Sequence, residues 1–305
     1  MTKGLEQNGK SNTQIRYTYD MATQPALAEK IRQIFRMLDA SLGQQHWWPA
    51  GSAFEVVVGA YLTQNTTWAN VERAIGNLRE AGVLSVSGIR DTPAAELEGM
   101  LRPAGYFRQK AARLKQFVAY LDSKYAGSLD ALFARPTEAL RDELLGLPGI
   151  GPETADSILL YAANREVFVV DAYTRRVFER HGLTEADARY DDIRLRVQEA
   201  LAGETEGFYA GNTPATARAV SGSANPLKPK EGLNGPPADE TTISAVGVVP
   251  HAPSAASQME RSELSRRYNE FHAQIVQTAK HFCVKTTPKC DHCPLRTLLK
   301  PESRS

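Results

Sequence analysis

The fold of this chain is decided by residues 146–176, which read GLPGIGPETADSILLYAANREVFVVDAYTRR. Leu147 and Ile150 are apolar anchors of a turn at Gly149. Gly151 offers a position where the backbone can adopt positive φ or approach a ligand closely. Pro152 then stands at the first helical position, where a missing N–H costs nothing. The residues that follow keep an apolar stripe at helical spacing, so the sequence predicts a helix–hairpin–helix over residues 137–164.

Such a hairpin is a candidate anion site. The free N–H groups of the turn and of the helix start converge, and the helix dipole adds to their attraction for an anion. A DNA phosphate would fit there, with Leu147, Gly149, Ile150 and Gly151 as the binding residues. An ordinary glycine-capped turn between two helices is the alternative interpretation.

Asp171 closes an apolar run, VFVV at residues 167–170. A carboxylate in that position is expected to be held in place rather than merely solvated. Asp is also a preferred helix N-cap, and residues 172–179 have a helical pattern. The two interpretations are compatible: Asp171 can cap the helix and also be the candidate catalytic residue.

The composition is typical of a globular protein that has no strong overall electrostatic field. The chain has 305 residues, is 42% hydrophobic and carries a formal net charge of +1, so contact with nucleic acid would depend on local basic patches. It has no apolar stretch long enough to cross a membrane and no signal-peptide pattern, which favours a soluble cytoplasmic protein. The three cysteines lie within eleven residues, which does not resemble a disulfide framework.

Helical periodicity dominates and strand-like alternation is scarce, so the sequence predicts an all-α fold. Residues 1–21 are polar and predict a disordered tail. In residues 203–258, 34 of 56 residues are Gly, Pro, Ser, Thr or Ala. Such a segment buries too little apolar surface to offset its ordering entropy, which predicts a disordered insertion.

The motifs LPGIGPETA and FVVDAYTRRV resemble those of the helix-hairpin-helix (HhH-GPD) DNA glycosylases of the endonuclease III superfamily. The segments FEVVVGAYLTQNTT (54–67) and RRYNEFHAQIV (266–276) extend the resemblance to most of residues 25–300. The resemblance implies two helical domains flanking a DNA-binding cleft. One is a six-helix barrel, residues 50–165. The other combines an N-terminal helix (22–49) with residues 166–202 and 259–300, and contains a cysteine loop at 283–299.

The resemblance also implies an activity: excision of a damaged base flipped out of double-stranded DNA. Asp171 would stabilise positive charge developing at C1′ and activate the nucleophile. Strand-cleaving members carry a lysine where this chain has Glu153. A carboxylate cannot form a Schiff base, so we predict a monofunctional glycosylase without AP lyase activity. Gln64 resembles the residue that fills the gap left by the flipped base.

The substrate expectation rests on Glu153 and the pair Trp47–Trp48, which look most like the endonuclease III-like 3-methyladenine glycosylase branch. Aromatic faces suit a cationic alkylated purine. Two alternatives stay open: a glycosylase for oxidised pyrimidines or mismatched thymine or uracil, and a non-catalytic DNA-binding module. The expected partner is damaged double-stranded DNA, bound by a monomer.

The cysteine loop leaves the cofactor open. Cys283, Cys290 and Cys293 are separated by six and by two residues, which is similar to the first three ligands of the family's [4Fe–4S] loop. The fourth ligand is missing, because Leu299 stands at its position. The loop could hold an iron–sulfur cluster with another fourth ligand, a zinc ion with His281 or His292, or no metal.

Overall fold

The computed structural model describes residues 24–202 and 247–299, and within them the regular secondary structure is entirely helical. This confirms the predicted all-α class. The predicted disorder of residues 1–21 and 203–246 falls outside the described residues. None of the described helices is both long enough and apolar enough to cross a membrane.

Twelve α-helices follow one another along the described chain. They are α1 (Gln24–Leu42), α2 (Ala53–Leu62), α3 (Trp68–Glu80), α4 (Val86–Asp91), α5 (Ala94–Leu101), α6 (Phe107–Tyr125), α7 (Leu129–Phe133), α8 (Thr137–Leu145), α9 (Pro152–Ser157), α10 (Ala172–Arg180), α11 (Tyr190–Ala202) and α12 (Glu263–His281). A π-helical turn, Ile158–Ala162, continues α9.

Helix α2 is deeply buried, since nine of its ten residues are buried. It begins at an N-cap, Ser52, whose hydroxyl accepts a hydrogen bond from the Glu55 N–H at 3.1 Å. It packs against α3, α6, α9 and the π-helical turn. The core therefore forms around α2 and fixes the position of the turn that follows it, where Gln64 lies.

The N-terminal helix packs against the C-terminal part of the chain. Helix α1 contacts α11 and α12, and α10 also contacts α12. The inner stripe of α1 follows the predicted helical spacing and is fully buried: Ile31, Ile34, Phe35 and Leu38. Asp171, at the start of α10, is thereby placed opposite α12.

A buried ion pair joins α8 to α9. Arg141 Nε donates to Asp156 Oδ1 at 2.7 Å, and the Asp156 side chain is 0% exposed. Arg141 also reaches Asp191 on α11 at 2.9 Å, and Arg194 pairs with Asp191 at 3.0 Å. This network fastens both helices of the hairpin motif to α11.

Residues 247–258 differ from the prediction of disorder. Val248 and Ala256 are almost completely buried. The Ala256 N–H donates to the Ala50 carbonyl at 3.0 Å, and the Ser254 hydroxyl donates to the Trp48 carbonyl at 2.8 Å. The averaged composition of the insertion concealed this ordered end, because its order depends on contacts with residues distant in sequence, among them Trp48 and Ala50.

Candidate active site

The hairpin between α8 and α9 has the geometry that its glycines suggest, with one correction. Gly149 adopts φ +79°, whereas Gly151 has φ −99° and is the extended N-cap of α9. The residue that needs positive φ is therefore Gly149, not Gly151. A Cβ at Gly149 would be strained by this positive φ, and it would lie 2.2 Å from Arg113 Nε, so the Arg113 side chain would also have to move.

Gln64 is held directly against this hairpin. Its Nε2 donates to the Gly149 carbonyl at 2.8 Å and lies 3.2 Å from Thr154 Oγ1. Arg113 Nη1 donates to Gln64 Oε1 at 3.1 Å. The structure thus brings Gln64 and Gly149 together, two candidates that are far apart in sequence, and places a guanidinium beside both.

Asp171 caps helix α10 and also belongs to a polar network with His272. Its Oδ1 accepts a hydrogen bond from the Thr174 N–H at 2.7 Å, and its Oδ2 lies 3.6 Å from His272 Nε2. Burial alone would raise the pKa of Asp171, but the attraction of His272 and the hydrogen bonds from Thr174 outweigh it and lower the pKa. The side chain stays 14% exposed. The carboxyl is therefore ionised and still accessible.

Glu153, on the first turn of α9, is a second carboxyl close to the first. It keeps an exposed surface, but the surrounding protein removes much of the water around its carboxyl. This desolvation raises the pKa of Glu153 to about 7, and the negative charge of Asp171 contributes in the same direction. The pKa values of the two neighbouring carboxyls therefore differ, since that of Asp171 is lowered and that of Glu153 is raised. In sites with such a pair, one acid is ionised while its neighbour retains a proton.

His272, on α12, is a functional candidate that the sequence did not single out. It is buried, and its Nδ1 is hydrogen-bonded to the Tyr161 hydroxyl while Nε2 faces Asp171. Tyr161 is itself fully buried on the π-helical turn. A buried histidine in an inward-facing helix stripe looks like core from sequence alone, so only the segment 266–276 as a whole pointed to this region.

Three tryptophans, a histidine and a tyrosine form an aromatic cluster next to this network. The ring centroid of Trp47 lies 5.0 Å from Trp48, 4.8 Å from Trp68 and 5.2 Å from His251. Trp48 lies 5.3 Å from Trp68 and 5.3 Å from Tyr161. We call these five residues the aromatic cluster. Trp48 is buried, whereas Trp47 and Trp68 keep exposed surface.

The aromatic cluster and the carboxylate are connected through side chains. Trp48 packs on Tyr161, the Tyr161 hydroxyl bonds His272, and His272 faces Asp171. Gly59 makes room for this arrangement, because a Cβ there would lie 3.0 Å from the Trp48 ring. Apolar faces and an ionised carboxylate therefore occupy neighbouring positions, as a site that stacks a flat group and stabilises positive charge requires.

The cysteine loop lines a cavity of about 310 Å³ at the C-terminal end of α10. Cys283, Cys290, Cys293 and Leu299 all line it, but no three ligating side chains among the described residues are grouped around one metal position. Burial raises the pKa of Cys293 to about 11. Arg180 Nη1 lies 3.2 Å from Cys283 Sγ.

A fourth donor lines this cavity, and it is neither His281 nor His292. His181, at the end of α10, is 5% exposed and borders the same space. Its Nδ1 is buried and has no hydrogen-bond partner within the described part of the chain. Three thiols and one unpartnered imidazole nitrogen are the donor types of a three-sulfur, one-nitrogen zinc set, but in the described part of the chain they are not drawn together around one metal position.

Comparisons with known proteins agree with this geometry. Residues 58–202 match the HhH-GPD superfamily of base excision DNA repair proteins. A Methanocaldococcus jannaschii protein named as a DNA repair glycosylase is 35% identical over 269 residues, which are 88% of this chain and 94% of that relative.

Two solved structures share the fold. The Helicobacter pylori 3-methyladenine DNA glycosylase bound to 1,N6-ethenoadenine has a TM-score of 0.57 at 24% identity, over 85% of this chain and 99% of its own. A trapped endonuclease III–DNA covalent intermediate has a TM-score of 0.59 at 20% identity, over 91% of this chain and 97% of its own. The chain therefore belongs to the HhH-GPD superfamily of base excision DNA repair glycosylases.

Proposed function

We propose that this protein excises a damaged base from double-stranded DNA by hydrolysing the N-glycosidic bond, acting as a monomer. The observation that carries the proposal is the state of Asp171, an ionised and accessible carboxylate held by Thr174 and His272. Binding phosphate would gain nothing from a fixed negative charge. Stabilising a sugar that becomes positively charged at C1′ requires one.

The hairpin between α8 and α9 supports the DNA-binding part of the proposal. The turn at Gly149 and the start of α9 present backbone N–H groups that suit a DNA phosphate. Arg113, close to both Gly149 and Gln64, adds a positive charge at the same place. A phosphate held here would anchor the strand while the damaged nucleotide leaves the stack, a step that costs a few kcal/mol. We infer that Gln64, which is held against the hairpin by its bond to the Gly149 carbonyl, fills the space that the base vacates.

Glu153 supports excision without strand cleavage. It stands on α9 where a lysine would supply an amine for a Schiff base, and its carboxyl cannot do so. Desolvation and the charge of Asp171 raise the pKa of Glu153 to about 7, so this carboxyl is partly protonated near neutral pH while Asp171 is ionised. Water, activated by Asp171, is then the nucleophile that attacks C1′.

The aromatic cluster favours an alkylated purine. Trp47 and Trp68 are only partly buried, and an indole suits a flat base, with an additional cation–π attraction when the base is positively charged. Glu72 accepts a hydrogen bond from Trp68 Nε1 at 2.7 Å, which adds negative charge at the edge of the cluster. An alkylated purine is also a good leaving group, so the reaction needs no strong acid catalyst.

A panel of lesion duplexes tests this proposal. We expect strand breaks only after alkali, and only in duplexes that contain an alkylated purine such as 7-methylguanine. Excision confined to oxidised pyrimidines or to mismatched thymine or uracil would contradict the alkylated-purine substrate and assign the enzyme to one of those lesions instead. Cleavage without alkali would contradict the monofunctional mechanism, and binding without excision of any lesion would indicate a DNA-binding module.

We further propose that the cavity at the C-terminal end of α10 holds a metal centre, either an iron–sulfur cluster or zinc. Cys283, Cys290 and Cys293 would bind it, with His181 as the fourth ligand in place of the missing cysteine. Such sites organise as the metal binds and the thiols lose their protons. The centre would fasten the loop that carries Lys285 and Lys289, whose charges suit DNA phosphates.

A further inference from the structure

The ordered end of the insertion lies directly on the loop that carries the tryptophan pair. Ser254 Oγ donates to the Trp48 carbonyl at 2.8 Å, and the Ala256 N–H donates to the Ala50 carbonyl at 3.0 Å. Ser254 and Ser257 are also hydrogen-bonded to each other, which closes a compact turn. We call residues 247–258 the returning segment. Its backbone position is set by the same loop that presents Trp47.

The returning segment contributes a ring to the aromatic cluster. The His251 imidazole lies 5.2 Å from the Trp47 ring at an interplanar angle of 53°. Trp47 therefore has aromatic neighbours from three separate parts of the chain: Trp48 beside it, Trp68 at the start of α3, and His251. Each contact restricts the orientation of an indole that is only partly buried.

We propose that the returning segment forms one wall of the base pocket and that His251 is a specificity-determining residue that fixes the Trp47 ring for stacking on the flipped base. This inference rests on the proposed function, because it takes the aromatic cluster as the place where the base is bound. It assigns a role to the end of an insertion that sequence composition predicts to be disordered.

The charge of His251 agrees with a cationic base. Burial lowers the pKa of His251, and the positive charges of Lys280 and His46 lower it further. The imidazole is therefore neutral near pH 7 and does not repel a positively charged purine. A lysine or arginine at this position would cover Trp47 equally well and would oppose such a substrate, so the residue type matters as well as its size.

From the contacts of the returning segment, we expect His251 to affect binding of the lesion duplex rather than the rate of base excision. His251 is connected to the Asp171 carboxylate indirectly, through Trp47, Trp48, Tyr161 and His272. Loss of its ring would free Trp47 to change orientation while leaving the catalytic network intact. The expected result is weaker binding of the lesion duplex with little change in the rate at saturation.

Single-turnover excision of 7-methylguanine from a duplex, measured against enzyme concentration, tests the inference with four proteins. These are the wild type, His251→Ala, His251→Phe and Val249→Ala, the last being a matched control because Val249 is 50% exposed on the same segment. We expect His251→Ala to raise the half-saturating concentration about threefold to tenfold, the loss of one aromatic contact. The plateau rate should change less than about twofold, since the catalytic contacts remain. Phenylalanine should restore binding, and Val249→Ala should behave as wild type.

Acrylamide quenching of tryptophan fluorescence in the free proteins gives a readout that does not depend on activity. His251→Ala should increase quenching because the Trp47 face is uncovered, and His251→Phe should not. Wild-type excision with an unchanged half-saturating concentration in His251→Ala would overturn the inference alone. Wild-type inactivity on every lesion duplex would overturn the proposed function, and the inference with it.

Discussion

His272 Nε2 lies 3.6 Å from Asp171 Oδ2, and the opposite ring nitrogen of His272 is hydrogen-bonded to the Tyr161 hydroxyl. This relationship links the π-helical turn, α12 and the start of α10 at one carboxylate. It makes His272 a positioning residue: it orients Asp171 and favours the ionised form of the carboxyl.

Replacing His272 by alanine should change the pH dependence of excision. His272 lowers the pKa of Asp171, so its removal raises that pKa, and the ionised fraction is lost at a higher pH. The acid limb of the single-turnover rate should therefore move to higher pH, with activity approaching the wild-type value on the alkaline side. Tyr161→Phe keeps the imidazole and should shift the limb less. Superimposable profiles for wild type and His272→Ala would show that His272 only fills space.

Replacing Glu153 by lysine should create a covalent intermediate. An amine at this position, close to the charge of Asp171, can attack C1′ and form a Schiff base that borohydride reduces to a stable protein–DNA adduct. We expect no adduct with the wild type, an adduct with Glu153→Lys, and its loss in Glu153→Lys combined with Asp171→Asn. An adduct formed by the wild-type protein would mean that another amine acts as nucleophile.

Replacing Arg141 by methionine should destabilise the protein by about 3–5 kcal/mol, because it leaves a buried carboxylate without its main partner. Asp156 is 0% exposed, and Arg194 remains only at 3.8 Å from it. Urea unfolding followed by circular dichroism measures the change. Arg135→Ala is the control: it breaks an exposed pair with Glu143 and should cost less than about 1 kcal/mol. Equal costs for the two variants would refute the importance of burial.

Elemental analysis of the purified protein tests the metal centre. We expect iron with a broad visible absorption band, or zinc without one, and a loss of metal in Cys290→Ser and in His181→Ala. Leu299→Ala should keep the metal, since an aliphatic side chain cannot bind it. If His181→Ala keeps its metal, His181 is not a ligand. If the wild-type protein contains no metal after anaerobic purification, the proposed metal centre is wrong.

Much of this architecture could be predicted from local patterns. The apolar stripe of α1 follows from residue spacing, because helix packing depends on nearby residues. The turn before α9 was also foreseen, although its positive φ lies at Gly149 and not at Gly151. The N-cap role of Asp171 was foreseen because it too depends on nearby residues. Its protonation state was not, because that depends on His272, a residue 101 positions further along the chain.

Other features could not be predicted because they depend on tertiary contacts. His272 looks like an ordinary core residue within α12, and its partner Tyr161 lies on a different element. His251 lies in a segment whose composition indicates disorder, although a few contacts with Trp48 and Ala50 order its end. His181 is far in sequence from the cysteines with which it shares a cavity.

The most direct test of the account is the single-turnover rate of 7-methylguanine excision by Asp171→Asn against wild type. Asparagine keeps the helix cap, so the melting temperature and affinity for the lesion duplex should stay close to the wild-type values. The excision rate should fall by about 100-fold or more, the cost of removing a charge that stabilises the transition state. A rate within about threefold of wild type, which would correspond to less than about 1 kcal/mol, would contradict the role of Asp171.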